Sequence, residues 1–393
     1  MGLFCAYCLG RDKYFCQATI FTSADQRKMD RVRLPGLDAL RGYAAVMVLM
    51  LHATKIFPIT LPYSWNIFLA YCTYGVPLFF VISAFSLAYG YSFKTIGKWK
   101  FDFAVKRFFR IAPLFYTMLL AWTLYKAAIG SPSFTFIEYI LNLTFTFGLT
   151  QSYNLSIVPA GWSIGVEMIF YAFFPFIITK TNSLPLAAAA FAASMLVSFV
   201  INFILIQAGV ESMLFYWTNL FTNAPYFFAG ILAYHLWERL SKTSHASTFA
   251  RISLFISVSI IICIISQQLM LTRDFNKEPP TIFAVFAWAT AFSLLILSQT
   301  LEYNKIVSNK LMLFLGQISF SLYLIHPLII YASGVSLYIE PMAINQHYKG
   351  ILSWVVAFAT NIPLAWITFK LVERPGQKLG KYFLETAKHR KLI

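Results

Sequence analysis

What this chain of 393 residues has least of is charge: 12% of it is Asp, Glu, Lys or Arg, against 59% hydrophobic and 18% aromatic residues. Soluble domains carry about 25% charged residues, so a soluble globular enzyme is excluded, as are disordered and collagen-like chains. Acidic residues are scarcest, 15 against 31 Lys and Arg, giving a net charge of +16. Cysteine is too scattered for a disulfide scaffold. Cys72 and Cys263 lie in apolar runs, and Cys5, Cys8 and Cys16 crowd the N-terminal tail. Cys5 and Cys8 have zinc-ligand spacing, but a structural site takes four ligands and only Cys16 is near, so no metal is expected. Residues 1–33 lack an apolar core and a small-residue cleavage site, so no cleavable signal peptide is expected. Also missing are HExxH, a Walker A loop and a dinucleotide glycine fingerprint. Zinc-protease, ATPase and dehydrogenase chemistries are left without support.

What is present is apolar length. A spanning helix takes about 20 mostly apolar residues. Such segments are expected at 41–57, 72–92, 111–129, 162–179, 184–207, 216–237, 250–270, 281–299, 312–333 and 350–372. They predict an all-α, polytopic membrane helix bundle of about ten spans. The stretch 137–149, interrupted by Glu138 and Asn142, reads as a short re-entrant or interfacial helix. An even number of spans puts both termini on one side. With that side cytoplasmic, 26 of the 31 basic residues are cytoplasmic, and Lys55, Lys126, Arg273, Lys277 and Lys349 are not. This asymmetry accounts for the net charge without a nucleic-acid partner. The expected organisation is a cytoplasmic tail over 1–33, a membrane domain over 34–376 and a basic cytoplasmic tail over 377–393. Loops this short leave no room for a soluble catalytic domain, so polar groups at membrane depth mark any chemistry.

Four constellations qualify. Arg41 and His52 are eleven residues apart, about 16 Å along a helix and within roughly 20° of three full turns, so they share one face. Asp38 lies one turn before Arg41, in pairing range. Arg41 alone reads as an interfacial anchor, whereas an imidazole at bilayer depth points to a pathway or a site. Lys106, Arg107 and Arg110 precede the third span, where a guanidinium pair can clamp phosphate or simply set topology. Trp162 opens the next block, with Ser163 beside it and Glu167 inside the span. That carboxylate can serve as a base, as a partner for His52, or as a ligand for a sugar hydroxyl, and Tyr171 lies one turn on. Ser319, Tyr323 and His326 form a polar stripe ending at Pro327, read either as site or as interhelical glue. His235, His245, His347 and His389 lie near helix ends or in loops and read as solvated.

In this order and spacing the chain resembles the acyltransferase 3 family of integral membrane acyltransferases, over residues from about 34 to 376. The resemblance rests on Arg41 and His52, on GVPLFFVISAF at 75–85, and on Arg107, Arg110 and Pro113. It extends to Trp162, Ser163 and Glu167, to the ISxSLYLxHP block, and to Glu373, Arg374 and Pro375. Ala84 stands where that family usually has Gly, and Pro77 where it often has a polar residue. The resemblance implies transfer of an acyl group, usually acetyl, from cytoplasmic acyl-CoA to a hydroxyl of a surface polysaccharide, lipid-linked glycan or other glycosylated acceptor. It implies the bacterial inner membrane as location, acyl-CoA as co-substrate, membrane lipid as surroundings, and no metal. Arg41, Arg107 and Arg110 would hold the CoA phosphates. His52 would act as base or acyl carrier, with Glu167 orienting the acceptor or supporting the imidazolium. Trp162, Ser163, Tyr323 and His326 would line the cavity. The competing reading is a transporter or flippase relaying protons through His and Glu; it leaves the arginine pair unexplained, and the helices show few mid-span Gly/Pro breaks of the kind transporters use.

Overall fold

Long Leu, Phe, Ala and Ile runs without strand punctuation satisfy their backbone within helices, as they must where water is absent. A computed structural model describes residues 33–56, 58–91, 99–149, 151–153, 155–271 and 281–389, and among them there is no strand. The chain divides into a unit Met1–Leu34 and a unit Pro35–Ile393; all that follows concerns the second. The three N-terminal cysteines lie outside the described residues.

The helices are α1 (Pro35–Lys55), α2 (Tyr63–Cys72), α3 (Gly75–Tyr91), α4 (Trp99–Ala128), α5 (Phe136–Leu143), α6 (Trp162–Lys180), α7 (Leu184–Gln207) and α8 (Met213–Thr218). They continue with α9 (Leu220–Leu240), α10 (Ala246–Leu271), α11 (Ile282–Leu301), α12 (Lys310–Gln317), α13 (Ser319–Ser333), α14 (Val335–Ile339) and α15 (Gln346–Thr368). A single π turn, Phe369–Glu373, leads into α16 (Arg374–His389). Helix α1 is the hub, packed against α2, α3, α11, α12, α13 and α15.

Each of the ten expected spans overlaps a described helix, with breaks at Asn219 in 216–237 and at Ile318 in 312–333. Among the described residues, seven helices are long and apolar enough to cross a membrane, or eight if one bent pair counts as a span. Helices α1 and α9 are not in that set. Each carries charged and polar side chains, Asp38, Arg41 and His52 in α1 and Asn223, His235 and Glu238 in α9, and half of each is buried by neighbouring helices. An interior helix faces protein and can hold such groups where a lipid-facing one cannot.

The bent pair corrects the expected continuous helix over 312–333. Helices α12 and α13 meet at 73° across Ile318. A Cβ on Gly316 would lie 1.7 Å from the Asp38 carbonyl oxygen, so α12 lies directly on the first turns of α1. From there α13 turns to run past His52. A similar close approach explains Ala84. A Cβ on Gly230 would come within 2.9 Å of Ala84 Cβ and 2.3 Å of the Val81 carbonyl, so α9 supplies the bare Cα at this crossing.

The short helix expected over 137–149 is α5, and the two polar residues that interrupt its apolar run have structural uses. Glu138 accepts from the Thr135 N–H at 2.7 Å, closing a capping box. Buried Asn142 accepts from Ser156 Oγ at 2.7 Å and from the Ile157 N–H at 3.1 Å. The segment expected as a tail from 377 is helical to His389 and packs on α4, where Lys388 meets Asp102 at 2.8 Å.

Candidate active site

Three levels of polar side chains stack through the bundle interior. At the first, His52 of α1 meets His326 of α13: His326 Nε2 lies 3.0 Å from His52 Nδ1, with ring centroids 4.9 Å apart. Each Nδ1 also faces the carbonyl four residues earlier on its own helix, Val48 for His52 at 3.0 Å and Leu322 for His326 at 3.2 Å. The last turn of α1 leaves carbonyls without helical partners. Ser353 and Ser336, both buried, donate to the Ala53 carbonyl at 2.6 and 3.2 Å, and Trp354 Nε1 donates to Met50 at 3.1 Å. Helices α14 and α15 thereby hold the backbone on either side of His52.

One turn from His326, the Tyr323 hydroxyl donates to the Ala160 carbonyl at 2.7 Å and shares a hydrogen bond with Ser163 Oγ at 2.7 Å. Ala160 sits at φ 65, a left-handed conformation that costs a non-glycine residue on the order of 1 kcal/mol. Strain of this kind concentrates at functional sites. Phe79 of α3 packs edge-on against Tyr323 at 5.9 Å, and Trp162 packs against Phe80 at 6.2 Å.

The second level lies one turn along α3 and α6. Glu167 accepts from Ser83 Oγ at 2.6 Å and from the Tyr171 hydroxyl, and Ser83 and Tyr171 are 2.8 Å apart. These bonds place Glu167 with the next level, and none of them reaches His52. The Arg107 guanidinium lies over the Tyr171 ring at 5.5 Å and the Phe103 ring at 5.9 Å. Its Nε is buried without a hydrogen-bond partner among the described residues.

At the third level, Arg41 donates to Asp38 Oδ1 at 2.8 Å and to Ser86 Oγ at 2.6 Å. Arg107 and Arg110 lie within its electrostatic reach. Arg110 in turn faces buried Glu373 of the π turn, which accepts from Ser321 Oγ at 2.7 Å and Gln377 Nε2 at 3.1 Å. Three guanidiniums thus converge at one end of α1, about 16 Å along its axis from His52. No group of three or more His, Cys, Asp or Glu side chains among the described residues is arranged to hold a metal ion.

A family model described as an acyltransferase domain, Acyl_transf_3, matches residues 34–370, which takes in every residue of these three levels except Glu373 and Gln377. The chain belongs to this acyltransferase family. It is similar to ORF330 of Acidianus two-tailed virus, named as a candidate acetyltransferase, at 27% identity over 337 residues, 84% of this chain and 90% of the relative. It is also similar to O-acetyltransferase OatA of Staphylococcus aureus, at 24% identity over 375 residues. That match covers 88% of this chain but 58% of OatA, so the chain spans little more than half of that relative. No solved structure matches.

In this acyltransferase the bundle brings together the sequence-expected residues in two groups, His52 with His326, Tyr323 and Ser163, and Arg41 with Arg107 and Arg110. Glu167 lies between them on α6. Ser83 and Ser86, which bind Glu167 and Arg41, were not among the expected site residues. Their signal is visible in hindsight as two hydroxyls three residues apart in the otherwise apolar GVPLFFVISAFSL. His235 corrects the expectation of a solvated ring: it is buried, and its Nε2 lies 2.6 Å from the Thr181 carbonyl, tying α9 to the end of α6.

Proposed function

We propose that this acyltransferase is a membrane O-acetyltransferase that moves acetyl from acetyl-CoA to a carbohydrate hydroxyl, in the bacterial inner membrane. The observation that carries this reading is the placement of Arg41 and the paired imidazole of His52 on α1, with Arg107 and Arg110 of α4 within electrostatic reach of Arg41, in a chain of this family. Guanidiniums are suited to bidentate phosphate binding, and Arg107 Nε, without a hydrogen-bond partner among the described residues, is a buried donor matched to an anionic oxygen. With the CoA phosphates at Arg41, Arg107 and Arg110, the pantetheine arm extends between α1, α3 and α6 toward His52.

In the reaction His52 removes the proton of the acceptor hydroxyl as its oxygen bonds to the thioester carbonyl carbon. The C–S bond then breaks and the thiolate of CoA takes the proton from the imidazolium. Glu167, Ser83 and Tyr171 form a polar wall beside this path, and the Ser163–Tyr323 pair flanks the imidazoles. The acceptor class, a surface polysaccharide or lipid-linked glycan, is part of this proposal, and the name of the OatA relative supports transfer of acetyl to an oxygen.

The test uses vesicles carrying the full chain, supplied with radiolabelled acetyl-CoA, with label followed into carbohydrate-containing material. Wild-type vesicles transfer label and His52→Ala vesicles with equal protein do not. Equal labelling by the two would overturn the assignment of His52.

A further inference from the structure

We propose that His326 is a positioning residue that fixes which nitrogen of His52 carries the proton, so that the lone pair of His52 Nε2 is the one offered to the acceptor hydroxyl. The proposal rests on the reading of His52 as general base.

Three contacts carry it. His52 Nδ1 lies 3.0 Å from the Val48 carbonyl, and His326 Nδ1 lies 3.2 Å from the Leu322 carbonyl. A carbonyl oxygen only accepts, so each Nδ1 is the protonated nitrogen of its ring. Neutral His326 then has its lone pair on Nε2, and that atom stands 3.0 Å from His52 Nδ1. The Nδ1–H of His52 is shared between Val48 and His326, and His52 Nε2 is left unprotonated. The reverse arrangement, with His326 Nε2 donating, turns a lone pair of both rings onto a carbonyl oxygen. Each such mismatch leaves a buried polar group without its hydrogen bond.

A neutral acceptor also suits the place. His326 is 1% exposed, and a carboxylate in its position would be a buried charge at membrane depth. When His52 takes up the acceptor's proton at Nε2, its Nδ1–H bond to His326 becomes charge-assisted and strengthens as the imidazolium forms. The Tyr323 hydroxyl is committed to Ala160 and Ser163, so it flanks His326 without competing for Nε2.

The test compares the full-length wild type with His326→Met, which removes the acceptor, and with His326→Gln, which returns an acceptor oxygen near the Nε2 position. Turnover and the KM for acetyl-CoA are measured together with 15N NMR of histidine-labelled protein, His52 being assigned by its loss in His52→Ala. A wrong tautomer of a catalytic histidine costs on the order of 10⁴ in kcat. The expected result is a loss of ~10²–10⁴-fold in kcat for His326→Met with KM changed less than about threefold, and recovery of at least about tenfold in His326→Gln. The wild-type spectrum shows His52 protonated on Nδ1, and the Met variant gains the Nε2–H form.

Wild-type turnover in His326→Met, or an unchanged His52 tautomer in that variant, overturns the proposal. If His326→Met does not fold, the wild-type spectrum decides, because an unprotonated Nδ1 on His52 contradicts it. Failure of the general-base reading is separate: it shows as retained activity in His52→Ala, and the spectrum still judges the pairing.

Discussion

Arg41 Nη2 donates to Ser86 Oγ at 2.6 Å, joining the start of α1 to the end of α3. Ser86 passes its own hydrogen to the Ile82 carbonyl at 2.7 Å, and Asp38 holds the other arm of the guanidinium at 2.8 Å. Arg41 is therefore fixed on two sides. Ser86→Ala removes one hydrogen bond to a charged group, about 1.5–3 kcal/mol. The expected outcome is a KM for acetyl-CoA raised about tenfold or more with kcat little changed, read from steady-state kinetics.

Arg107 and Arg110 occupy neighbouring turns of α4 but have different surroundings, an aromatic pair for Arg107 and Glu373 for Arg110. If both hold phosphate, Arg107→Ala and Arg110→Ala each weaken acetyl-CoA binding by about 10–100-fold in calorimetry. Lysine at position 107 restores little, because an ammonium cannot stack on Tyr171 and donate in a fork at once. Unchanged affinity in both alanine variants returns this run to a role in topology.

Glu373 is a stability prediction. Its carboxylate is buried and holds Ser321 and Gln377 beside Arg110, at the π turn that joins α15 to α16. Glu373→Ala leaves the buried Ser321 hydroxyl without its acceptor, and a buried polar group left unsatisfied costs about 1–3 kcal/mol. Thermal unfolding in detergent is expected to show a clear drop in Tm. Glu373→Gln, which keeps acceptor and shape, falls between the two.

The loop between α14 and α15 carries a pH-dependent tie. Hydrogen bonds from the Thr60 hydroxyl at 2.6 Å and the Thr60 N–H at 2.9 Å, with a smaller contribution from Lys349, hold the Glu340 carboxyl below the usual carboxylate range. Because the folded value is the lower one, the stabilisation is present above the unfolded carboxylate pKa of about 4.3 and is lost as pH falls through the folded value. Hydrogen exchange around Thr60, corrected for intrinsic rates, is expected to accelerate only in acid. Glu340→Gln removes that dependence, and an identical acid response in the variant counts against it.

Much of this was legible in the chain because membrane depth makes polar residues conspicuous. His52, Glu167, Tyr323 and His326 stand out against apolar runs, and helical periodicity puts Arg41 on the face of His52. What periodicity cannot give is which helix lies opposite. The pairing of His52 with His326 depends on the 73° bend after Gln317, which follows from Gly316 seating α12 on the Asp38 backbone. Glu167 was open to a partnership with His52, and its actual partners, Ser83 and Tyr171, are set by how α3 and α6 cross. Serine escaped notice at positions 83 and 86 because one hydroxyl in a helix usually bonds its own backbone, as Ser86 also does.

The role of His52 is tested most directly by acetyl transfer from acetyl-CoA by His52→Ala in vesicles, with acetyl-CoA binding measured on the same preparation. The expected result is a fall in turnover of ~10²–10⁴-fold with binding unchanged, because Arg41, proposed to hold the donor, lies about 16 Å away along α1. Turnover at the wild-type level in a variant that binds acetyl-CoA normally would contradict it.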